Sequence, residues 1–564
     1  MKIKYFKINS PFRGLPKGFS LSFRQHYYLQ EDNNEPICMV GLNGSGKSNS
    51  LEVLSELFYY LELQTMATKR TLENIEDRYS FLDFELHYEI SQFKWQNTIS
   101  RSRENNIPFD NYKKVVVVCT KESNEPLNIE IADIENIKNR YALPNYLWSE
   151  VLPNKIIGYS SGQNELISNP FIKLDYYYFD EFIRSTAEDN IETNTEINRM
   201  FFMDYESNEL IVLANYLFDD TENNTKENPV KELNNKLNIQ GLHSFSLKIQ
   251  FRNYDGKEII FPSQLNLGLE QLKQCATLWD DNEKDIKNKR DRVIRLSFFV
   301  DIATKKAFRN IFKSAYELFR FFYLLRLMNL HCISPSARKK IKEAKQGINL
   351  GDILPKPEQD KLVFKIQDIC FRKLNVSTPV RYKHLSDGEH QLLHVLGTLR
   401  MISDNDALFL LDEPETHFNP EWRAKMIKLI MQTNRAFGVE QDHFITSHSP
   451  FIISDCKPTN VYLFYRKNGK LQPVQTAHDK KLNTYGTSVS ILTEEIFNKQ
   501  ESQGEFSGLT IKKLMNRQYK TLESINKAKE ESRILGDSVE KTLLFRKLLM
   551  LENDIKTKNK NSRK

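Results

Sequence analysis

PICMVGLNGSGKS, residues 36–48, decides the fold. It begins as a short apolar run of strand type and passes directly into a glycine-rich turn. Gly41, Asn43, Gly44, Ser45, Gly46, Lys47 and Ser48 satisfy the pattern GxxxxGK[ST], and a helical pattern occupies residues 51–63. The physics of such a turn is anion capture. Glycines let the backbone approach closely, and successive N–H groups and a helix N-terminus face the anion. The expected ligands are the phosphates of ATP, with Lys47 at the β and γ positions and Ser48 on Mg²⁺.

A second stretch supplies what the first requires. ALFLLDEPE, residues 407–415, is an apolar strand ending in Asp412 and Glu413. Two carboxylates at the end of a buried strand are costly unless they meet a cation or a reacting water. Asp412 is therefore the expected Mg²⁺ partner of Ser48. Glu413 is the expected catalytic base. The competing reading, two carboxylates capping a helix near residue 421, would leave the glycine-rich loop without its metal partner.

Outward from these motifs the pattern divides. Strand-like runs occupy residues 3–8, 19–23, 81–90, 114–120 and 155–159. Between residues 170 and 380 long helical patterns appear, at 207–218 and 305–330, with strand-like pieces at 244–251 and 257–261. A regular alternation then returns, with a helix over 388–402, the strand at 407–411, a helix over 421–431 and a strand at HFITS. The end of the chain, from about residue 508, is helical and highly charged. The expected division is 1–169 and 381–500 as two parts of one α/β head, 170–380 as a mainly helical insertion, and 501–564 as a helical extension.

Composition excludes several classes. Six cysteines without a CxxC pair make neither a disulfide framework nor a clustered zinc site, and fit a reducing cytoplasm. No stretch of 18 uncharged apolar residues occurs, so no membrane span is expected. The net charge of +6 hides segregation. Residues 284–345 hold 17 basic and 5 acidic residues, and the last ten hold five basic residues and no acid.

Three further segments carry a resemblance. LSDGEHQ, with Ser386, Gly388 and Glu389, is similar to the ABC-type signature. ITSHSP resembles the switch-histidine segment, with His448 at the γ-phosphate. YSSGQNE resembles a Q-loop, with Gln163 as a further Mg²⁺ ligand, and PETHFNP resembles a D-loop. Together they resemble the ATPase heads of SMC, RecF and OLD-type proteins. That resemblance implies an ABC-type P-loop NTPase with a mixed sheet flanked by helices. It also implies at least a dimer, with ATP sandwiched between Lys47 of one head and Ser386 and Gly388 of the other. Phe12 or Arg13 in PFRG is the candidate at the adenine.

A closer resemblance runs over most of the chain, through KINSPFRGLPKGF, YSSGQNELIS, RMFFMDYESNELIVLANYLF, LSDGEHQ, LDEPETHFNP and GTSVSILTEEIF. These are similar to the ATPase subunits of Septu-type bacterial anti-phage systems, including those joined to retrons. The resemblance implies a slow regulatory ATPase that restrains a partner HNH nuclease, with a reverse transcriptase and an RNA–DNA hybrid in the retron form. The residues after His448 hold no acidic triad or EGxxE-like segment, so no nuclease site is expected in this chain. The alternative is a RecF-like repair ATPase acting on DNA. Two basic clusters are candidates for nucleic-acid contact: Lys284, Lys287, Lys289, Arg290, Arg292 and Arg295, and then Arg338, Lys339, Lys340, Lys342 and Lys345. Either could equally be a solvated face.

Overall fold

A computed structural model describes the chain except residues 26–33, 70–81, 103–113, 124, 135, 163–165, 188–197, 220–233, 235–236, 285, 345–347, 498–503 and 562–564. The chain divides into two compact units, Met1–Tyr485 and Gly486–Lys564.

The first unit is built on a seven-stranded sheet. Its spatial order is Gln475–Thr476, Val461–Phe464, Ile37–Gly41, Asp442–Ser447, Ala407–Asp412, Lys155–Ser160 and Met200–Phe202. All neighbours are parallel except the short Gln475–Thr476 edge. The three strands Ile37–Gly41, Asp442–Ser447 and Ala407–Asp412 are buried at every residue. Continuous apolar runs suit them because a parallel sheet is covered on both faces.

The helix Lys47–Lys69 leaves directly from the glycine-rich loop. Leu54, Leu57, Phe58 and Leu61 are all buried, and they join a core shared with a second sheet. The helix is buried on all sides, and its buried carboxylates Glu52 and Glu62 are ion-paired with Arg13 and Arg199. The second sheet is antiparallel, in the order Ser20–Ser22, Lys2–Ile8, Phe84–Ile90, Val115–Lys121, Asn128–Asp133, Arg140–Ala142. Ile3, Phe6, Leu86, Tyr88, Val115 and Val117 are its buried contribution. This is an α/β architecture, with a nearly all-parallel sheet and an antiparallel sheet packed about the helix that follows the glycine-rich loop.

Between residues 170 and 380 helices predominate, and a five-stranded antiparallel sheet runs through the segment. Its order is Leu278–Asp281, Val293–Phe299, Ile239–Gln250, Phe364–Lys373, Val380–Arg381. The strand expected at 244–251 is part of Ile239–Gln250. The piece at 257–261 is not a strand and makes one isolated bridge, Arg252 to Glu258. The long helix expected over 305–330 is two helices, Ile302–Ile311 and Ala315–Leu327. The break has a local cause. The side chain of Ser314 accepts from the Glu317 N–H, and Glu317 accepts from the Lys313 N–H at 2.8 Å, so a new helix starts where periodicity alone reads straight through.

The second unit has helices Val489–Phe497, Glu505–Asn516, Leu522–Glu531 and Val539–Asn561. Leu514, Tyr519, Ile525, Ala528, Leu544 and Leu548 form its own small core. Among the described residues no helix is long and apolar enough to cross a membrane.

Candidate functional site

Strand order brings the motifs together. The strand Asp442–Ser447 lies between the strands ending in Gly41 and Asp412, so three loops emerge side by side at the carboxyl ends. That is where open α/β sheets bind their ligands. Register places Asp412 beside Thr446, and Ser447 beside Val40.

Gly41 tolerates no side chain. Its φ is +155°, and a Cβ would lie 2.0 Å from the Phe464 carbonyl oxygen of the adjacent strand. Gly46, at φ +109°, has the backbone that L side chains avoid. Lys47 is buried and folds back over the loop. Its Nζ donates to the Gly41 carbonyl at 3.0 Å and to the Leu42 carbonyl at 3.3 Å. Burial lowers the Lys47 pKa from its ordinary value, against the pull of Glu413, Asp412 and Glu415.

Ser48 Oγ donates to Asp412 Oδ1 at 2.8 Å, and Thr446 Oγ1 donates to the same oxygen at 2.6 Å. Ser160 Oγ lies 3.5 Å from Asp412 Oδ2. A hydroxyl and a carboxylate thus meet at one point, an oxygen donor set that suits Mg²⁺. Ser45 Oγ is buried and has no hydrogen-bond partner among the described residues. An orphaned hydroxyl in this loop fits a phosphate oxygen as its missing partner.

Glu413 has φ +49°, a left-handed conformation rare for a non-glycine residue. Its N–H is held by Thr446 Oγ1 at 3.0 Å. Its carboxylate lies 3.0 Å from His448 Nε2, and Lys47 Nζ lies 2.9 Å from that same nitrogen. The His448 hydrogen bond, opposed by burial, holds the Glu413 pKa below its ordinary value. The carboxylate is therefore ionised at neutral pH.

The signature lies at a helix start. Ser386 is the N-cap of Asp387–Met401, in a capping box with Glu389, and Glu389 pairs with Lys373 at 2.7 Å. Ser386 is exposed. Gly388 sits against the D-loop segment, where a Cβ would be 2.7 Å from the His417 carbonyl oxygen. Gln391 accepts from the His417 N–H at 3.0 Å and donates to the Tyr159 hydroxyl at 2.8 Å. Gln163 lies outside the described residues.

Phe12 is not an adenine platform in this arrangement, because it is buried in the core. Arg13 is ion-paired to Glu52 of the loop's helix at 2.5 Å. Two groups carried no sequence signal as site residues. Thr446 sits two residues before His448; its hydroxyl donates to the Asp412 carboxylate and accepts from the Glu413 backbone N–H. Glu415 is buried and hydrogen-bonded by Ser447, and burial pushes its pKa up to about 7.

The two basic clusters differ. Lys287, Lys289 and Arg290 are exposed on the loop between Leu278–Asp281 and Val293–Phe299. Arg292 and Arg295 are tied to Asp281 at 2.7 Å and Asp280 at 3.2 Å. In the second cluster Arg338 donates to the carbonyls of Leu330 and Ile333, and Lys342 pairs with Asp180. Those two cations hold a helix in place, while Lys339 and Lys340 of the same helix are exposed. Lys345 lies outside the described residues.

Residues 268–454 match a family described as an AAA domain, putative AbiEii toxin, Type IV TA system. No curated protein matches the chain. Among solved structures, an SmcHead bound to the C-winged helix domain of ScpA matches at TM-score 0.32 and 11% identity, covering 85% of this chain and 100% of that one. The recombination mediator protein RecF, in the RecFOR pathway, matches at TM-score 0.26 and 13% identity, over 83% of this chain and 97% of that one. At such scores the likeness is loose, and the chemistry rests on the residues themselves.

Proposed function

We propose that this chain binds ATP with Mg²⁺ and hydrolyses it as a switch. One observation carries the reading: Lys47, Ser48, Asp412, Glu413 and His448 converge at the ends of three adjacent parallel strands. Lys47 exchanges its contacts with loop carbonyls for the outer phosphates. Ser48 and Asp412 would hold Mg²⁺, which would supply positive charge against the phosphates. Glu413 takes the proton of the attacking water. His448 steadies Glu413 and stands beside Lys47, where a γ-phosphate would lie.

The exposed Ser386 and the helix start behind it suit a nucleotide held by a second copy of the chain. ATP then joins two heads, and hydrolysis releases them. The role we assign is regulatory, in a bacterial anti-phage defence complex of Septu or retron type, with a partner HNH nuclease doing the cutting. The similarity of segments such as YSSGQNELIS, LSDGEHQ and LDEPETHFNP supports it, as does the toxin–antitoxin description of the matched family. The exposed loop with Lys287, Lys289 and Arg290 suits a nucleic-acid backbone.

The Glu413→Gln variant tests the chemistry. It should bind ATP as the wild type does and lose turnover by at least about 100-fold, the scale of general-base loss. Normal turnover in this variant would remove Glu413 as the base. Purification from the native operon tests the role, since a nuclease should co-purify with this chain.

A further inference from the structure

The guanidinium of Arg466 joins three loops that are far apart in sequence. Nε donates to the Gly44 carbonyl at 2.7 Å, Nη2 to the Gly14 carbonyl at 2.8 Å, and Nη1 to the Gly469 carbonyl at 2.9 Å. Gly44 belongs to the phosphate-binding loop, Gly14 to the PFRG segment, and Gly469 to the hairpin of Arg466–Lys467 and Lys470–Leu471 that carries the arginine itself. One planar fork thereby fixes the distance between the first loop and the phosphate loop.

The surroundings agree. A Cβ at Gly14 would meet the guanidinium itself, 2.8 Å from Arg466 Nη2 and 3.0 Å from Asn49 Nδ2, so any side chain there must push these side-chain ends aside. The preceding Arg13 pairs with Glu52, in the helix that follows the phosphate loop. From the same hairpin, Leu471 approaches Gly46, whose absent Cβ would lie 3.9 Å from Leu471 Cδ2. Hairpin, first loop and phosphate loop form a collar on one side of the nucleotide site. Lysine cannot replace the arginine, because an ammonium lacks the fixed fork needed to reach three carbonyls at once.

We infer that Arg466 is a positioning residue for nucleotide binding: it presets the phosphate loop against the PFRG loop and so sets ATP affinity rather than the rate of the chemical step. This rests on the ATP-binding reading above. The test measures binding of a fluorescent ATP analogue, together with KM and kcat for ATP, in the full-length wild type, R466A, R466K and the neighbouring control K467A. The expected result is a KM and analogue Kd raised about tenfold in R466A, with kcat within about threefold of wild type. R466K should fall with R466A, and K467A with the wild type. Should R466A fail to fold, G14A carries the test, because its methyl displaces the guanidinium from the Gly14 side; it should raise KM in the same way. Wild-type KM and Kd in R466A, or a fall confined to kcat, would overturn the inference. Failure of the wild type itself to bind the analogue would instead overturn the ATP-binding reading.

Discussion

Glu415 illustrates how much one buried carboxylate adds to this site. It lies at 3% exposure, is hydrogen-bonded by Ser447, and its second oxygen has no hydrogen-bond partner among the described residues. Burial raises its pKa to about 7. A carboxyl whose folded pKa exceeds its unfolded value binds more protons when folded, so stability falls as pH rises between about 4.5 and 7 and is flat above that. Glu415→Gln removes the titration and keeps a polar group against Ser447. At pH 8 it should be more stable than wild type, by on the order of 2–3 kcal/mol. At pH 4.5 the two should agree. Urea titrations at both pH values check this, and an equal difference at the two would mean that Glu415 is not titrating there. The sequence marks Glu413 through its strand and leaves Glu415 undistinguished. Its burial comes from a neighbouring strand 32 positions away.

At the scale of elements, the start of the signature helix is held by close approach to the D-loop segment. Helix propensity alone favours alanine over glycine at position 388 by about 1 kcal/mol. The His417 carbonyl, 2.7 Å from the added methyl, opposes it, and backbone yields less readily than a side chain. Overpacking of this kind costs about 1–3 kcal/mol. Gly388→Ala should therefore lower the urea midpoint at unchanged m-value, and lower ATP turnover more than ATP binding. A stabilised variant would mean that the helix start is free to move. The same scale explains what periodicity misread. The pattern over 305–330 is continuous in hydrophobicity, yet Ser314 and Glu317 restart the helix through two local hydrogen bonds.

For the whole molecule, the chain holds one phosphate loop and one signature, so the sandwich reading requires two copies. Mixing Lys47→Ala chains with Ser386→Arg chains should restore part of the ATPase activity, because one of the two composite sites in a mixed dimer is intact. Neither variant alone should be active. Activity that stays absent in mixtures, with mixed dimers shown to form, would count against shared sites. The second unit, Gly486–Lys564, has a core of its own and does not enter this prediction.

Chemistry carried by short contiguous stretches was legible from sequence alone. The glycine-rich loop, the paired carboxylates after an apolar strand, and the order of the motifs point to an α/β fold with the loop and the carboxylates at the ends of its strands, because backbone geometry and burial there are dictated by near neighbours. Tertiary structure decided what depends on distant partners. It inserted the strand Asp442–Ser447 between the two motif strands, so that Thr446 holds the Asp412 carboxylate and the Glu413 backbone N–H together. It spent Arg292, Arg338 and Lys342 on internal contacts and left Lys287, Lys289 and Arg290 exposed. It brought Arg466 to Gly44 across 422 positions. The physical reason is the same in each case: charge and hydrogen bonding act over a few ångströms of space, and only the fold determines which residues share that space.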